Sequence, residues 1–313
     1  MKTFIQVVEL WVPNADGTHL EHGGSLSSGA FAEFNALSEG TLFQRDEGLP
    51  GKAWASGHPV ILTDFANSYF RRTDAAHEAG LTCGVALPVF AGETLKAVLV
   101  LFCGDDESHV GAIELWHNDA EATHEMRLVD GYYGTADMLE FNSRHTSFPR
   151  GFGLPGRTWK ADMPLIAKDF ANSKSFLRWE DAVEIGVNRG VGIPYKTPVD
   201  QTWVVTLLSA RATPLARRFE VWVPNADGDA LLFHAGDCDS DTDLAARYAG
   251  KAIARGEGAL GRAWATDMPV ITDALLEDRS VASVAARESR LHQMVVLPTM
   301  DAGVPKAMLA WYL

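Results

Sequence analysis

The 313-residue sequence is poor in basic residues and in cysteine. Its 27 lysines and arginines face 41 acidic residues, which gives a net charge of -14. An acidic surface repels phosphate backbones and anionic lipids, so we expect neither nucleic acid nor a membrane as a partner. No apolar run approaches the length needed to span a bilayer, and the N-terminal segment lacks the apolar core of a secretory signal.

The cysteines are too few and too unevenly placed for a disulfide framework. The sequence has three of them, Cys83, Cys103 and Cys238, and no C-x-x-C pair. This usage favours buried, reduced thiols, and we therefore expect a cytoplasmic protein.

The usual signatures of catalytic and metal sites are also missing. None of the ten histidines belongs to an H-E-x-x-H motif or to another paired ligand spacing, and there is no G-x-S-x-G nucleophile elbow. His77 and Cys83 could form a nucleophile pair, but nothing elsewhere in the chain repeats it. We predict a non-enzymatic protein without a metal site, and its residues identify no cofactor.

What the sequence does contain is one motif that occurs three times. The copies are Gly48–Gly51, Gly153–Gly156 and Gly258–Gly261, followed at a constant distance by Trp54, Trp159 and Trp264. A period of about a hundred residues is too long for a solenoid turn and suits a complete small domain. We predict three tandem domains, at residues 1–106, 107–212 and 213–313.

Each repeat predicts the same series of elements. In the first, these are a hairpin around Pro13–Gly17, a short helix with Phe31, Phe34 and Leu37, the glycine-proline loop and its helix, a strand at Val60–Leu62, a helix from Asp64 to Ala79, and strands at Val85–Phe90 and Leu95–Phe102. The predicted order β-β-α-α-β-α-β-β indicates an α+β fold, with a mainly antiparallel sheet and helices on one face.

The last strand of each repeat is apolar almost throughout. The three strands are Val98–Phe102, Trp203–Leu208 and Ala307–Leu313. Such strands are typical of sheets covered on both faces, because a bare apolar face promotes aggregation. We expect the repeats to pack sheet to sheet, within the chain or against another copy, and hence a homo-oligomer or a protein partner.

The run Glu47–Val60, followed by Asp64 and Val85–Val89, resembles the most recognisable stretch of the GAF domain family. The resemblance covers all three repeats and is weakest in the third, where Ala259 and Leu260 replace Leu and Pro. It implies small domains that bind a ligand between the sheet and its helices, or that serve as dimerisation modules, and that regulate attached domains. The cyclic-nucleotide and bilin signatures of the family are missing, as are its flanking helices.

Six residues are candidate ligand contacts. They are Trp54, Asp64, Trp159, Asp169, Trp264 and Asp273. The tryptophans could stack on a planar ligand or lie in the core, and the aspartates could contact a ligand or cap a helix.

Two further patterns near the loops also have a structural interpretation. Lys52, Arg157 and Arg262 follow the loops and could bind phosphate or lie solvated on a helix. Gly151–Gly156 and Gly256–Gly261 spell G-x-G-x-x-G, but the first is not preceded by a core strand, so we interpret both as structural loops and not as dinucleotide sites.

The sequence is consistent with two functions. The first is a regulatory or sensory protein that binds a small ligand and signals through contacts between sheet faces. The first two repeats share the segment Asp-Phe-Ala-Asn-Ser and are the expected binders. The second is a ligand-free scaffold whose pockets are filled by side chains and whose repeats build an assembly.

Overall fold

The computed structural model describes residues 3–27, 29–104, 110–119, 121–168, 186–197, 201–210, 212–240 and 242–313. Within them the chain forms three six-stranded sheets, and every strand pairing described is antiparallel. The strand order is the same in each sheet. The predicted α+β fold of three tandem domains is therefore confirmed.

The strands follow the chain in three sets of six. Strands β1 to β6 are Ile5–Pro13, His19–Ser27, Leu42–Gln44, Val60–Leu62, Leu81–Ala91 and Thr94–Gly104. Strands β7 to β12 are Gly111–Asn118, Glu125–Tyr132, Ser147–Pro149, Leu165–Lys168, Arg189–Lys196 and Thr202–Ser209. Strands β13 to β18 are Arg218–Pro224, Ala230–Cys238, Ala252–Ala254, Val270–Thr272, Met294–Asp301 and Val304–Tyr312. In the first sheet the order is β3-β2-β1-β6-β5-β4, and the other two follow it.

The described helices are short. In repeat 1, α1 to α3 are Ala32–Ala36, Gly48–Ser56 and Thr73–Glu78. In repeat 2, α4 and α5 are Asp137–Arg144 and Gly153–Ala161. In repeat 3, α6 to α8 are Leu244–Tyr248, Gly258–Thr266 and Val281–Glu288. No helix in these described ranges is long and apolar enough to cross a membrane.

The predicted element order missed one strand in every repeat. Strand β3 and its counterparts β9 and β15 are three residues long and bury only their central side chain. A single buried residue between two others gives no alternating pattern to detect. Strand β9 precedes the glycines of repeat 2, but it is an antiparallel edge strand, so the G-x-G-x-x-G letters there do not belong to a dinucleotide-binding unit.

The predicted helix from Asp64 to Ala79 is also wrong in its first half. The carboxylate of Asp64 accepts hydrogen bonds from the backbone N-H groups of Ala66 and Asn67, both at 3.0 Å, and so closes a turn. The helix α3 begins only at Thr73. In repeat 3, Ser280 and not Asp273 caps α8, by accepting from the amide of Ser283. The corresponding Asp169 lies outside the described residues.

The glycine-proline loop packs directly on the short strand that precedes it. Gly48 has a φ of 58°, and a Cβ atom there would overlap the ring of Phe43 on β3. A Cβ atom on Gly51 would overlap the carbonyl oxygen of Gln44. The glycines therefore permit a close approach that other residues would prevent. Gly57 ends α2 in the left-handed conformation.

The three sheets share one apolar core. Their faces that are not covered by helices meet in a single cluster, to which each repeat contributes fully buried side chains such as Val8 and Leu99, Ile113 and Val205, and Val221 and Leu309. The predicted packing of sheet on sheet is thus found within the chain. Separate apolar clusters lie on the helix side of each sheet.

The repeats form a closed ring of three. At each junction the start of a repeat's fifth strand meets the end of the next repeat's second strand. These contacts join Thr82 Oγ1 to Tyr132 OH at 2.9 Å, Arg189 Nη1 to Asp237 Oδ2 at 3.2 Å, and Gln293 Nε2 to the Ser27 carbonyl oxygen at 3.2 Å. The last contact brings repeat 3 back to repeat 1. Each sheet is built from strands of one predicted domain, although the exact boundaries stay predictions.

Candidate functional site

A glutamate lies fully buried at the same place in each repeat. Glu9, Glu114 and Glu220 are on the first strand of their sheets, two residues before a tryptophan. Each carboxylate accepts a hydrogen bond of 3.0 Å from the indole N-H of that tryptophan, which is Trp11, Trp116 or Trp222. Because side chains alternate along a strand, these residues face the helices, while their neighbours face the shared core.

In repeat 1 the glutamate is paired with an arginine. Arg72 holds both oxygens of Glu9, at 2.6 and 2.8 Å, and the hydroxyl of Ser38 donates to the same carboxylate at 2.6 Å. The guanidinium lies 4.3 Å from the ring centroid of Phe34 and 5.3 Å from that of Phe102. Since Arg72 directly precedes α3, this bidentate pair fastens the α3 segment to the sheet.

In repeat 2 the donors that the structure describes around the glutamate are neutral. Besides the indole of Trp116, the hydroxyl groups of Tyr133, Ser143 and Thr206 donate to the Glu114 carboxylate, at 3.1, 2.9 and 2.8 Å. These hydroxyl groups come from the residue that follows the second strand, from α4 and from the last strand. The carboxylate therefore connects three elements of the repeat.

In repeat 3 two tyrosines surround the glutamate. The hydroxyl groups of Tyr248 and Tyr312 donate to Glu220 at 2.7 and 2.8 Å, and Nη1 of Arg218 lies 3.5 Å away. Burial raises the pKa of Glu220, while the charge of Arg218 and the donated hydrogen bonds oppose that rise. Burial and the nearby carboxylate also raise the pKa of both tyrosines, so the hydroxyl groups remain donors at neutral pH.

These clusters fill the space in which a ligand would lie between sheet and helices. A carboxylate can only accept hydrogen bonds, and donors of the protein surround all three. The arrangement can exchange internal donors for those of a ligand, or it can simply hold sheet and helices together. Among the described residues, no group of three histidine, cysteine or acidic side chains is placed to bind a metal ion.

Two of the candidate tryptophans are partly exposed and one is buried. Trp54 and Trp159 are half-buried on α2 and α5, whereas Trp264 lies in the helix-side core of repeat 3. Arginines cover two of the rings, with Arg150 5.6 Å from the centroid of Trp159 and Arg255 5.2 Å from that of Trp264. A ligand that stacks on these two rings would have to displace an arginine.

The candidate aspartates that the structure describes, Asp64 and Asp273, are exposed. Hydrogen bonds from the backbone and side chain of Asn67 lower the pKa of Asp64 and keep it ionised. Asp273 lies between Thr272 and Ala274, both of which line an open cleft. A ligand role for the six candidate residues stays a prediction.

That cleft in repeat 3 has a volume of about 440 Å³ and is strongly charged. It contains Arg262, which follows the loop, together with Arg279 and Asp278. Burial alone would raise the pKa of Asp278, but hydrogen bonds from Ser280 and Ser283 outweigh it and lower the pKa. A groove of similar size in repeat 1, lined by Phe34, Leu37 and alanines with Glu33 and Glu78, is mainly apolar.

Sequence reasoning missed the buried glutamates, although the chain carries a signal for them. An acidic residue stands two positions before the tryptophan in all three first strands, within runs that are otherwise almost entirely apolar. A charge repeated in a buried strand requires partners, and this marks it as a polar centre of the fold. The partners themselves come from distant segments that no local pattern connects to the strand.

A scan against protein-family models matches residues 6–115 to the GAF domain. This range contains nearly all of the first repeat and the beginning of the first strand of the second. No curated protein matches the chain.

Several solved structures are similar to about a third of the chain. Free methionine-R-sulfoxide reductase from Neisseria meningitidis is 18% identical, with 32% of this chain and 52% of that chain covered and a TM-score of 0.25. The nlh2 GAF domain from A. aeolicus is 21% identical, with 33% and 62% covered and a TM-score of 0.26. A GAF domain/HD domain protein from Geobacter sulfurreducens is 13% identical, with 33% and 65% covered and a TM-score of 0.27. The chain thus covers less than two thirds of each of these proteins.

Proposed function

We propose that the chain, whose three sheets share one strand order and whose first repeat matches the GAF domain, is a non-enzymatic regulatory protein that binds a small ligand in one or more repeats and transmits the change through the shared core. GAF domains are typically sensory or regulatory. The ligand would bind between sheet and helices, where the buried glutamates offer acceptors, and would therefore carry hydrogen-bond donors.

One observation supports the transmission step most directly. On the first strand, Glu9 and Trp11 face the helices, while Val8 and Leu10 belong to the core shared by all three sheets. The same alternation recurs around Glu114 and Glu220. A ligand that moves this strand on one face therefore moves the packing of the other two repeats on the opposite face.

The experiment is native mass spectrometry of the purified full-length protein. A retained small molecule supports the proposal, and single variants Glu9→Gln, Glu114→Gln and Glu220→Gln then identify the repeat that holds it. The matched control is Glu93→Gln, which changes an exposed glutamate in a turn. A ligand-free protein whose melting temperature no metabolite panel raises would contradict the proposal.

A ligand-free scaffold is the second candidate function. It is favoured by the side chains that already occupy the helix-side centres, such as Arg72 in repeat 1 and Tyr248 and Tyr312 in repeat 3. A scaffold would join copies through exposed apolar side chains, of which Leu276 and Val304 are 75% and 64% exposed. A ligand-free higher oligomer in the same mass spectrum would support it.

We also place the protein in the cytoplasm. All three cysteines are buried, and a chain with so few cysteines is typical of a reducing compartment. Expression with a fluorescent tag tests this location.

A further inference from the structure

Trp203 lies between two histidine rings at the junction of repeats 1 and 2. His117 is its partner on the adjacent strand β7, and the two ring centroids are 4.0 Å apart at an interplanar angle of 28°. His58 comes from repeat 1 and stacks on the same indole at 3.9 Å and 14°. Two rings cannot share one face at these distances, so the indole is enclosed on both sides. One aromatic stack therefore crosses the boundary between two repeats.

The other two junctions provide an internal comparison. Met163 and Met268, which precede Pro164 and Pro269, are equivalent to His58. Val12 and Val223, which follow Trp11 and Trp222, are equivalent to His117. Ala97 and Ala307, which precede Val98 and Met308, are equivalent to Trp203. All six pack in or against the shared core. The same positions that are aliphatic at two junctions thus carry two titratable rings at the third.

The surroundings of both histidines disfavour a positive charge. Burial lowers the pKa of His58, and the hydrogen bond between its Nδ1 and the Pro59 carbonyl oxygen, at 2.8 Å, only partly offsets it. Burial also lowers the pKa of His117, as does the proximity of His58, against the opposing effects of Asp119 and the side chain of Gln201. Asp119 is exposed, so its charge is screened by solvent.

The polar atoms within the stack are poorly matched. Among the described residues, Nε2 of His117 and Nε1 of Trp203 are both buried without a hydrogen-bond partner. A proton added to His117 would therefore place a charged donor where no acceptor lies. A single imidazolium gains some attraction from the indole face, but a second one on the opposite face is repelled by the first.

We infer that the stack of His58, Trp203 and His117 is an acid-sensitive contact, which joins repeats 1 and 2 while both imidazoles are neutral and weakens when they are protonated. This regulation is independent of any ligand, and so goes beyond the proposed function. When the junction opens, the histidines take up protons near their ordinary pKa of about 6.5. The closed junction disfavours protonation of both histidines. Its contribution to stability is therefore fully present above about pH 6.5 and is lost as the pH falls toward the lowered pKa values of the two rings.

The test compares thermal unfolding of the full chain at about pH 7.5 and about pH 5.5, the interval in which histidine titrates. The double variant His58→Met/His117→Val installs the residues of the other junctions. We expect acidification to lower the melting temperature of the wild type at least about twice as much as that of this variant. The control His292→Gln removes an exposed histidine and should keep the wild-type response.

A second measurement on the wild type keeps the inference testable if the double variant does not fold. Titration of the histidine ring protons by NMR, assigned with His58→Met and His117→Val alone, should give both rings pKa values below the ordinary value of about 6.5. Hydrogen-exchange protection, corrected for the slower intrinsic exchange of amides at low pH, should fall on acidification in residues 53–62 and 202–209 more than in the equivalent segments of the Met163 and Met268 junctions. Ordinary pKa values for both rings, or equal pH responses in all variants, would overturn the inference.

Discussion

A fully buried carboxylate is costly unless donors surround it, and Glu220 shows how this chain meets the requirement. The indole of Trp222 and the hydroxyl groups of Tyr248 and Tyr312 all donate to it. Glu9 reaches the same result with Arg72, a charged partner, whereas the described donors to Glu114 are the indole of Trp116 and hydroxyl groups. The acceptor is therefore constant among the repeats, while its donors differ.

Removal of one such donor should cost much more than the loss of an exposed hydroxyl group. We expect Tyr248→Phe to lower the free energy of unfolding by about 1–3 kcal/mol, because a fully buried carboxylate loses a hydrogen-bond donor. Urea denaturation measures this change. The control Tyr69→Phe changes a tyrosine that is 37% exposed and should have little effect. Equal effects of the two substitutions would contradict the role given to Glu220.

Repeat 2 contains a compensating pair that the other repeats lack. Thr158 and Gly192 occupy the positions held by Ala53 and Ala86 in repeat 1. The hydroxyl group of Thr158 lies against Gly192, where a Cβ atom would overlap it. Among the described residues this hydroxyl oxygen has no hydrogen-bond partner. Gly192 therefore leaves the space that the Thr158 side chain occupies.

Substitution of this pair should show strong coupling. Gly192→Ala alone should destabilise the protein by about 1–3 kcal/mol through overpacking, and Thr158→Ala should remove most of that loss. The double variant reproduces the pair of repeat 1. A double-mutant cycle from urea denaturation measures the coupling, and additive effects would show that the two side chains do not compete for space.

At the scale of elements, the glycine-proline helix ends in the same way in all three repeats. Its last residue is followed by a left-handed position, which is Gly57 in repeat 1 and an aspartate, Asp162 or Asp267, in the others. Asp162 gains two ion pairs of 2.7 Å with Lys196 and Lys306. By contrast, Oδ1 of Asp267 is buried and has no hydrogen-bond partner within the described ranges.

This difference predicts that replacement by glycine will have different effects at Asp267 and at Asp162. Asp267→Gly should raise stability by about 0.5–1 kcal/mol, because glycine adopts the left-handed conformation without strain. Asp162→Gly should give no gain, since it removes the ion pair with Lys196 within repeat 2 and the one with Lys306 of repeat 3. Melting temperatures of the two variants check this, and a stabilised Asp162→Gly would show that the ion pairs contribute nothing.

The sequence predicted the longer elements well because their signals are local. The hairpins, the loop helix ended by Gly57 and the apolar closing strands all depend on residues close together in the chain. The prediction missed the three-residue strand Leu42–Gln44 and its equivalents. These strands are defined by pairing with a neighbouring strand and have no pattern of their own. Asp64 was misassigned because an aspartate closes a turn with the same hydrogen bonds that cap a helix.

The candidate site was harder to predict than the fold. The partners of Glu9 are separated from it by 29 and 63 residues, at Ser38 and Arg72. Only the folded chain brings them together. The tryptophans and aspartates chosen from the repeats recur at fixed positions around the loops, but those positions do not reveal the buried glutamates of the first strands.

At the scale of the whole molecule, the shared core makes the three repeats one cooperative unit. We expect a single unfolding transition, because separation of any repeat would expose its apolar sheet face. Leu309→Ala, in the shared core, should destabilise the protein by about 2–5 kcal/mol and should lower protection in all three repeats. Hydrogen exchange in denaturant, followed by peptides from each repeat, measures this. Different midpoints for the three repeats would contradict a common core.

The contact between Gln293 and the carbonyl oxygen of Ser27 also limits how this architecture can grow. A linear array such as a solenoid lengthens by adding units at its ends, since each unit needs only its neighbours. Here the third unit already returns to the first, and an extra copy inserted anywhere would have to break that return and widen the central packing. A fourth unit could enter the ring only if this contact opened, so closure of the ring limits the number of copies within it.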